Sequence, residues 1–299
     1  MTLATSAFTS FDAIGNREDL SDIIYNVAPT DTPFITGIPR TDAKAVLHEW
    51  QTDTLAAASS TNFVLEGDES TTVATVATSR LSNTCNISDK LPRVSGTQMA
   101  VNTAGRKDEL AYQIVKVAKE LRRDMESILL ANNAEVTGNT TTARETGGIG
   151  AWIATNDVFG TGTQRPITEA MLKSVLASCW DAGGDPDCVM VGSFNKQAMS
   201  GFTGNATRWK GAADKQLVAA IDIYSSDFGD VEIIPNRFSR AREALVLQKD
   251  LWATAYLRPV TMMELSKTGD SERRLLLAEY ALESRNEAGS GMVADLTTS

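Results

Sequence analysis

His48 is the only histidine in the chain, which closes every scheme needing two imidazoles, whether as a proton relay or as metal ligands. It is followed by Glu49 and Trp50 with no second ligand at metal spacing, and reads as a strand residue facing solvent or a neighbour. Carboxylates are plentiful, and a suitably separated pair could perform acid–base hydrolysis. No spacing singles out such a pair: Asp68, Glu69, Asp227 and Asp230 stand in glycine-containing turn stretches, where a solvated loop carboxylate is the ordinary reading. The run Gly147-Gly148-Ile149-Gly150 suggests a phosphate cradle, yet Ile153 stands where a dinucleotide fingerprint needs its third glycine and no Gly-Lys-Ser/Thr follows. A Gly-x-Ser-x-Gly nucleophile elbow is absent from the sequence. Ser193 is placed to cap a helix, and Ser290, inside Gly289-Ser290-Gly291, reads as turn material. The Arg122-Arg123 pair could meet phosphates, but Asp124 and Glu126 beside it favour ion pairing at a surface or a subunit contact. The three cysteines, Cys85, Cys179 and Cys188, are an odd number, far apart and without metal-ligand spacing, as expected of reduced thiols. No catalytic, cofactor-binding or metal-binding set is read, and the expectation is a protein that is not an enzyme.

With no chemistry to position, the question becomes what the elements hold apart. The segment from Lys107 to Asn133 carries Leu110, Ile114, Val117, Leu121, Met125 and Ile128 at steps of four and three, one stripe of an α-helix widened by Ala111, Ala118 and Leu129. Its other face alternates Lys107, Lys116, Lys119, Arg122 and Arg123 with Asp108, Glu120, Asp124 and Glu126. Such a helix would be roughly 40 Å long, and its stripe needs a surface to cross.

The chain has 299 residues, a net charge of -10 and 42% hydrophobic residues. This fits a folded chain of about two domains or one elaborated domain. An acidic balance argues against gripping nucleic acid through its phosphates. The first dozen residues lack a basic and an apolar region of a secretory signal, and no run reaches the ~20 apolar residues of a membrane span.

Residues 1–44 are polar and punctuated, with a helix-like piece over 19–27 and then Pro29, Pro33 and Pro39. So core-poor a segment is expected to dock on the rest of the fold or on a neighbouring subunit. Over 46–52 and 81–88 residues alternate with a period of two, predicting two strands separated by loop material. A two-stranded ribbon with few large apolar residues is marginal alone, so it is expected to project and to be stabilised by a partner. Residues 167–238 alternate helix and strand: a helix capped by Thr168 and stopped at Gly183-Gly184, a strand over 188–191, a helix over 194–199, and strands over 219–225 and 231–235. Strands over 244–248, 252–257, 261–266, 275–283 and 292–296 follow, with hairpin chemistry at Lys267-Thr268-Gly269-Asp270-Ser271. Trp50, Trp152, Trp180, Trp209 and Trp252 are scattered, as core or interface anchors are.

Arm, ribbon, long helix, compact mixed unit and returning strands form an order that resembles the major capsid proteins of tailed bacteriophages with the Hong Kong 97 phage fold. Local phrases resemble one branch of these proteins: Val27-Ala28-Pro29-Thr30-Asp31-Thr32-Pro33-Phe34, Val94-Ser95-Gly96-Thr97, and Gly105 with Asp108-Glu109-Leu110-Ala111-Tyr112-Gln113. So do Glu120-Leu121-Arg122-Arg123-Asp124-Met125-Glu126, Asp227-Phe228-Gly229, Lys267-Thr268-Gly269-Asp270 and Asn286-Glu287-Ala288. The resemblance implies an α+β fold with an N-arm (1–44), an extended E-loop β-ribbon and the start of a P-domain (45–104), a spine helix with more P-domain (105–150), an A-domain (151–258) and returning P-domain strands (259–299). It implies pentamers and hexamers tiling an icosahedral virion shell around dsDNA without sequence-specific binding, assembled in the host cytoplasm. Scaffolding, portal and decoration proteins are its implied partners. Pro33, Phe34, Trp50, Phe63, Glu66, Asp68, Arg80, Lys90, Arg93, Arg122 and Arg123 are the residues expected at subunit contacts. Some relatives join Lys to Asn covalently, and Lys90 gives no warrant for that here. The alternatives are a phage-associated adhesion or tail module, suggested by the Thr/Ser-rich strands, and a carboxylate-based hydrolase.

Overall fold

A computed structural model describes residues 29–67, 75, 77–103, 105–202 and 222–298. The helix expected over 19–27, part of the strand over 219–225, and Asp68, Glu69 and Trp209 lie outside the described residues. In chain order the first elements are α1 (Pro33–Gly37), β1 (Arg40–Asp42), β2 (Leu47–Thr52), β3 (Ser79–Thr84), β4 (Asn86–Lys90), β5 (Arg93–Ser95), α2 (Gly96–Ala100) and α3 (Glu109–Leu129). Next come α4 (Ile149–Trp152), β6 (Asp157–Val158), α5 (Glu169–Asp181), β7 (Cys188–Val191), α6 (Ser193–Ser200), β8 (Ile223–Ser226) and β9 (Gly229–Pro235). The last are β10 (Ala244–Leu247), β11 (Trp252–Glu264), β12 (Ser271–Ser284) and β13 (Gly291–Val293).

The long helix is α3, shorter at each end than its apolar pattern suggests. Asp108 stops it at the start by accepting from Ala111 N at 3.1 Å, and its 21 residues span about 30 Å. Leu110, Leu121, Met125 and Leu129 of the expected stripe are buried. The stripe does cross the returning strands: Leu121, Met125 and Leu129 share a core with Leu276, Ala278, Tyr280 and Leu282 of β12, with Trp252 and with Phe34 and Ile35 of α1. Glu126, assigned from the sequence to the charged face, is fully buried.

Two sheets sandwich that core. One is 5-stranded, in the order β1-β11-β12-β4 with β5 also on β12. The expected strands 252–257 and 261–266 are a single strand, β11, whose register against β12 slips between Tyr256, Arg258 and Thr261. Pro259 lies in that interval; lacking an N–H, it produces an irregularity rather than an end. The other sheet is 6-stranded, β6-β13-β10-β7-β9-β8. Along β7 and β10, Val189, Val191, Ala244 and Val246 face α5, while Cys188, Met190, Leu245 and Leu247 face the α3 core. Both faces are covered, so these strands read as continuous apolar runs.

The third sheet is the ribbon, β2 paired antiparallel with β3 from Leu47↔Thr84 to Thr52↔Ser79. The strand expected over 81–88 is two strands. At Cys85, whose N donates to Val46 O at 2.8 Å, the chain leaves the ribbon, and β4 then pairs with β12. Period-two alternation runs through both pieces, so the change of partner leaves no mark in the pattern.

Candidate assembly surface

The ribbon is held rigidly at its base. Along β2 the half-buried residues are His48, Trp50 and Thr52, every second position, and they turn toward the body of the molecule. Trp50 Nε1 donates to Ser284 O at 2.6 Å, and its ring lies 5.5 Å from that of Trp152. His48 Nε2 is 3.0 Å from Glu283 Oε2, the oxygen that also accepts from Thr41 Oγ1 at 2.8 Å. On β3, Asn83 donates to Leu282 O at 2.7 Å and to Gly147 O at 3.2 Å, and accepts from Gly147 N at 2.8 Å. Thr84 Oγ1 donates to Glu135. Burial pushes the Glu283 carboxyl upward, but the hydrogen bonds from His48, Thr41 and Arg285 outweigh it and hold its pKa below the usual value.

Beyond Thr52 the ribbon changes character. Residues 53–67 form no strand, and Leu55 (98% exposed), Phe63 (87%), Val64 and Leu65 carry their side chains into solvent. Glu66 is exposed with them. Contiguous exposed apolar side chains of this kind make the segment a candidate interaction surface. The signal was present in the sequence as Phe63-Val64-Leu65 between turn residues, and only Phe63 was singled out from it.

The other expected contact residues divide by what they touch. Arg80 is exposed on the ribbon, with its Nε 3.5 Å from Glu49. Phe34 is fully buried in its own chain, so its side chain has no surface left for a neighbour. Pro33 opens α1. Arg122 reaches back to the same segment, donating to Thr32 Oγ1 at 2.8 Å and Thr36 Oγ1 at 2.9 Å. Lys90 pairs with Asp124 at 2.7 Å, Arg93 donates to Ser271 Oγ at 2.9 Å, and Arg123 stacks over the Phe238 ring at 5.5 Å. These four cations join segments of one subunit. Asp68 lies outside the described residues. Sequence reasoning missed Glu126, Glu283 and Asn83, which fix α1 and the ribbon; Glu126 stands three residues before Leu129, at the margin of the apolar stripe, which is the one hint of its burial.

Features that raised enzymatic readings resolve into packing. A Cβ on Gly148 would stand 2.2 Å from Ala131 O and one on Gly150 2.8 Å from Asn132 Cβ, so the glycine run permits close approach to the end of α3. Thr168 caps α5 as expected. Ser193 does not cap: it is the first residue of α6, behind Gly192. Ser290 closes the turn over Glu287–Gly289 as expected, its N donating to Glu287 O at 3.0 Å, and it is also buried, accepting Trp252 Nε1 at 2.9 Å. Among the described residues no group of His, Cys, Asp and Glu is arranged to hold a metal ion, and no helix is long and apolar enough to cross a membrane.

Residues 4–297 match the family described as SU10 major capsid protein. The chain is 25% identical over 337 aligned residues to the major capsid protein of Escherichia phage Phieco32, covering 96% of each. A chain of the cyanophage A-1(L) capsid asymmetric unit superimposes with a TM-score of 0.69 at 13% identity, covering 98% of this chain and 100% of that one. A chain from Gordonia phage Cozz does so at 0.67 and 11%, covering 99% and 98%. The two superpositions show the fold, the expected α+β arrangement of Hong Kong 97-type capsid proteins.

Proposed function

The chain belongs to the SU10 major capsid protein family, and we propose from that premise that its copies tile an icosahedral head as pentamers and hexamers around a dsDNA genome. A major capsid protein of a phage is a structural component of the virion, not an enzyme. The observation that carries the finer reading is the contrast within the ribbon: a base tied to Glu283, Ser284 and Leu282 of β12, and a tip with Leu55, Phe63, Val64 and Leu65 in solvent. A rigid projection with an unsatisfied apolar end is suited to lying over an adjacent copy. Full burial of each such side chain is worth about 1.5–3 kcal/mol, a modest gain per contact that a closed lattice repeats over every subunit.

In this reading residues 1–44 are the arm, 45–104 the E-loop ribbon and the start of the P-domain, and 105–150 the spine helix with further P-domain. Residues 151–258 are the A-domain and 259–299 the returning P-domain strands. Scaffolding, portal and decoration proteins are the expected partners. The net charge of -10 fits a shell that encloses DNA without gripping it. Sedimentation and electron microscopy of the protein, expressed alone and with its scaffold, test the reading. Closed shells support it, and a permanently monomeric species under all assembly conditions contradicts it.

A further inference from the structure

The six-stranded sheet carries an exposed aromatic pair at one end. Trp180, at the C-terminal end of α5, and Phe228, in the turn between β8 and β9, lie with ring centroids 5.4 Å apart. Trp180 is 56% and Phe228 38% exposed. Large aromatics are left in water at such a cost mainly where a partner covers them, and tryptophan is among the residues most enriched at interface hot spots. The rim of the pair is acidic. Asp181 follows Trp180, Asp227 precedes Phe228, Asp230 is the second residue of β9, and Asp185 approaches Gly229. All four are exposed, and none forms an ion pair among the described residues.

The opposite end of the same sheet has the opposite sign. β9 runs from Gly229 to Pro235, about 20 Å away, and leads into Arg237, Arg240 and Arg242, all exposed. Arg240 and Arg242 are balanced by Glu243 and Asp295 while their side chains stay near half-exposed; Arg237 has no ion pair among the described residues. β7 is parallel to β9 and β10 antiparallel to β7, so the start of β10 brings Arg242 to the same end. Guanidinium stacks on tryptophan and pairs with carboxylate, so one end offers what the other end accepts.

We propose that the Trp180–Phe228 patch with its aspartate rim receives the Arg237–Arg242 corner of a second copy of this chain. A contact between different surfaces of identical subunits is heterologous, and it closes into a ring when the rotation per step allows. The proposal rests on the shell reading and names the contact that would join neighbours around a ring.

The test is a charge exchange in the full chain, scored by particle yield on sedimentation and by electron microscopy, with circular dichroism to confirm folding. Asp227→Arg with Asp230→Arg, and separately Arg237→Glu with Arg242→Glu, should each lower yield by about tenfold or more, since like charges then face each other. All four changes in one chain should restore particles, because the attraction is rebuilt with its sign inverted. Trp180→Ala, which alters no charge, should lower yield without restoring on any charge exchange. Normal yield from each folded reversal variant and from Trp180→Ala, or no recovery in the folded fourfold variant, overturns the contact. Absence of particles from the unmodified chain, both alone and with its scaffold, would overturn the shell reading itself, whereas unmodified particles with unaffected variants would overturn only this contact.

Discussion

The Oε1 atom of Glu126 on α3 lies 2.8 Å from the backbone nitrogen of Phe34, a residue 92 positions away. The same carboxylate accepts from Ile35 N and from Asn236 Nδ2, each at 2.8 Å. One buried side chain thus joins α1, α3 and the end of β9. It takes the orphan N–H groups at the start of α1, where Pro33 supplies none.

Glu126→Ala strands three donors in the core, at about 1–3 kcal/mol for each one left unpaired. We expect a loss of about 3 kcal/mol or more in chemical denaturation, with α1 amides exchanging hydrogen faster. Burial raises the Glu126 carboxyl above its usual range against the pull of the Ile35, Phe34 and Asn236 hydrogen bonds. With a raised folded-state value, its contribution is complete below the unfolded pKa and withdrawn as pH rises through the folded one. Glu126→Gln, a neutral isostere, should cost less than alanine and flatten that decline; equal losses for the two variants would argue against the hub.

Glu283 has the opposite sign. Its pKa is held down by His48, Thr41 and Arg285 against the upward push of burial, so its contribution is present above the usual carboxylate value and lost as pH falls through the lowered one. The ribbon base should therefore loosen below about pH 4. The protection factors of the β2 and β3 amides, referred to the intrinsic exchange rate at each pH, should fall on acidification in the wild type. In Glu283→Gln they should already be low at pH 7, with a shallower dependence.

The three thiols are buried, and burial pushes Cys85 up to about 11 and Cys179 and Cys188 up to about 12. At pH 8 roughly one thiol in a thousand or fewer would be ionised. Iodoacetamide at that pH should leave the native subunit unlabelled and modify all three after denaturation. Rapid native labelling would show that these cores open.

Gly148→Ala places a Cβ 2.2 Å from Ala131 O, against backbone that cannot swing aside. Overpacking of this kind costs about 1–3 kcal/mol. A lower melting temperature is expected; an unchanged melting temperature would show that the α3–α4 junction gives way.

What the sequence made legible was whatever rests on local period. The stripe of Leu110, Leu121, Met125 and Leu129, the apolar runs of β7 and β10 and the Thr168 cap all follow from spacing within a single element. What it hid depends on partners distant in the chain. Cys85 ends one pairing and begins another without breaking the alternation, and Pro259 interrupts a ladder without ending the strand. Phe34 was expected at a neighbour and fills its own core, because nothing nearby in sequence records the Glu126 that holds it there. Ser193 misses capping by one position.

The central claim, that the ribbon tip is completed by another subunit, is tested most directly by a cryo-electron microscopy map of assembled particles. The account predicts density for residues 53–67 lying across an adjacent subunit, with Phe63 and Leu65 buried against it. A map in which those residues fold back on their own subunit, or stand in solvent in a closed shell, would contradict it.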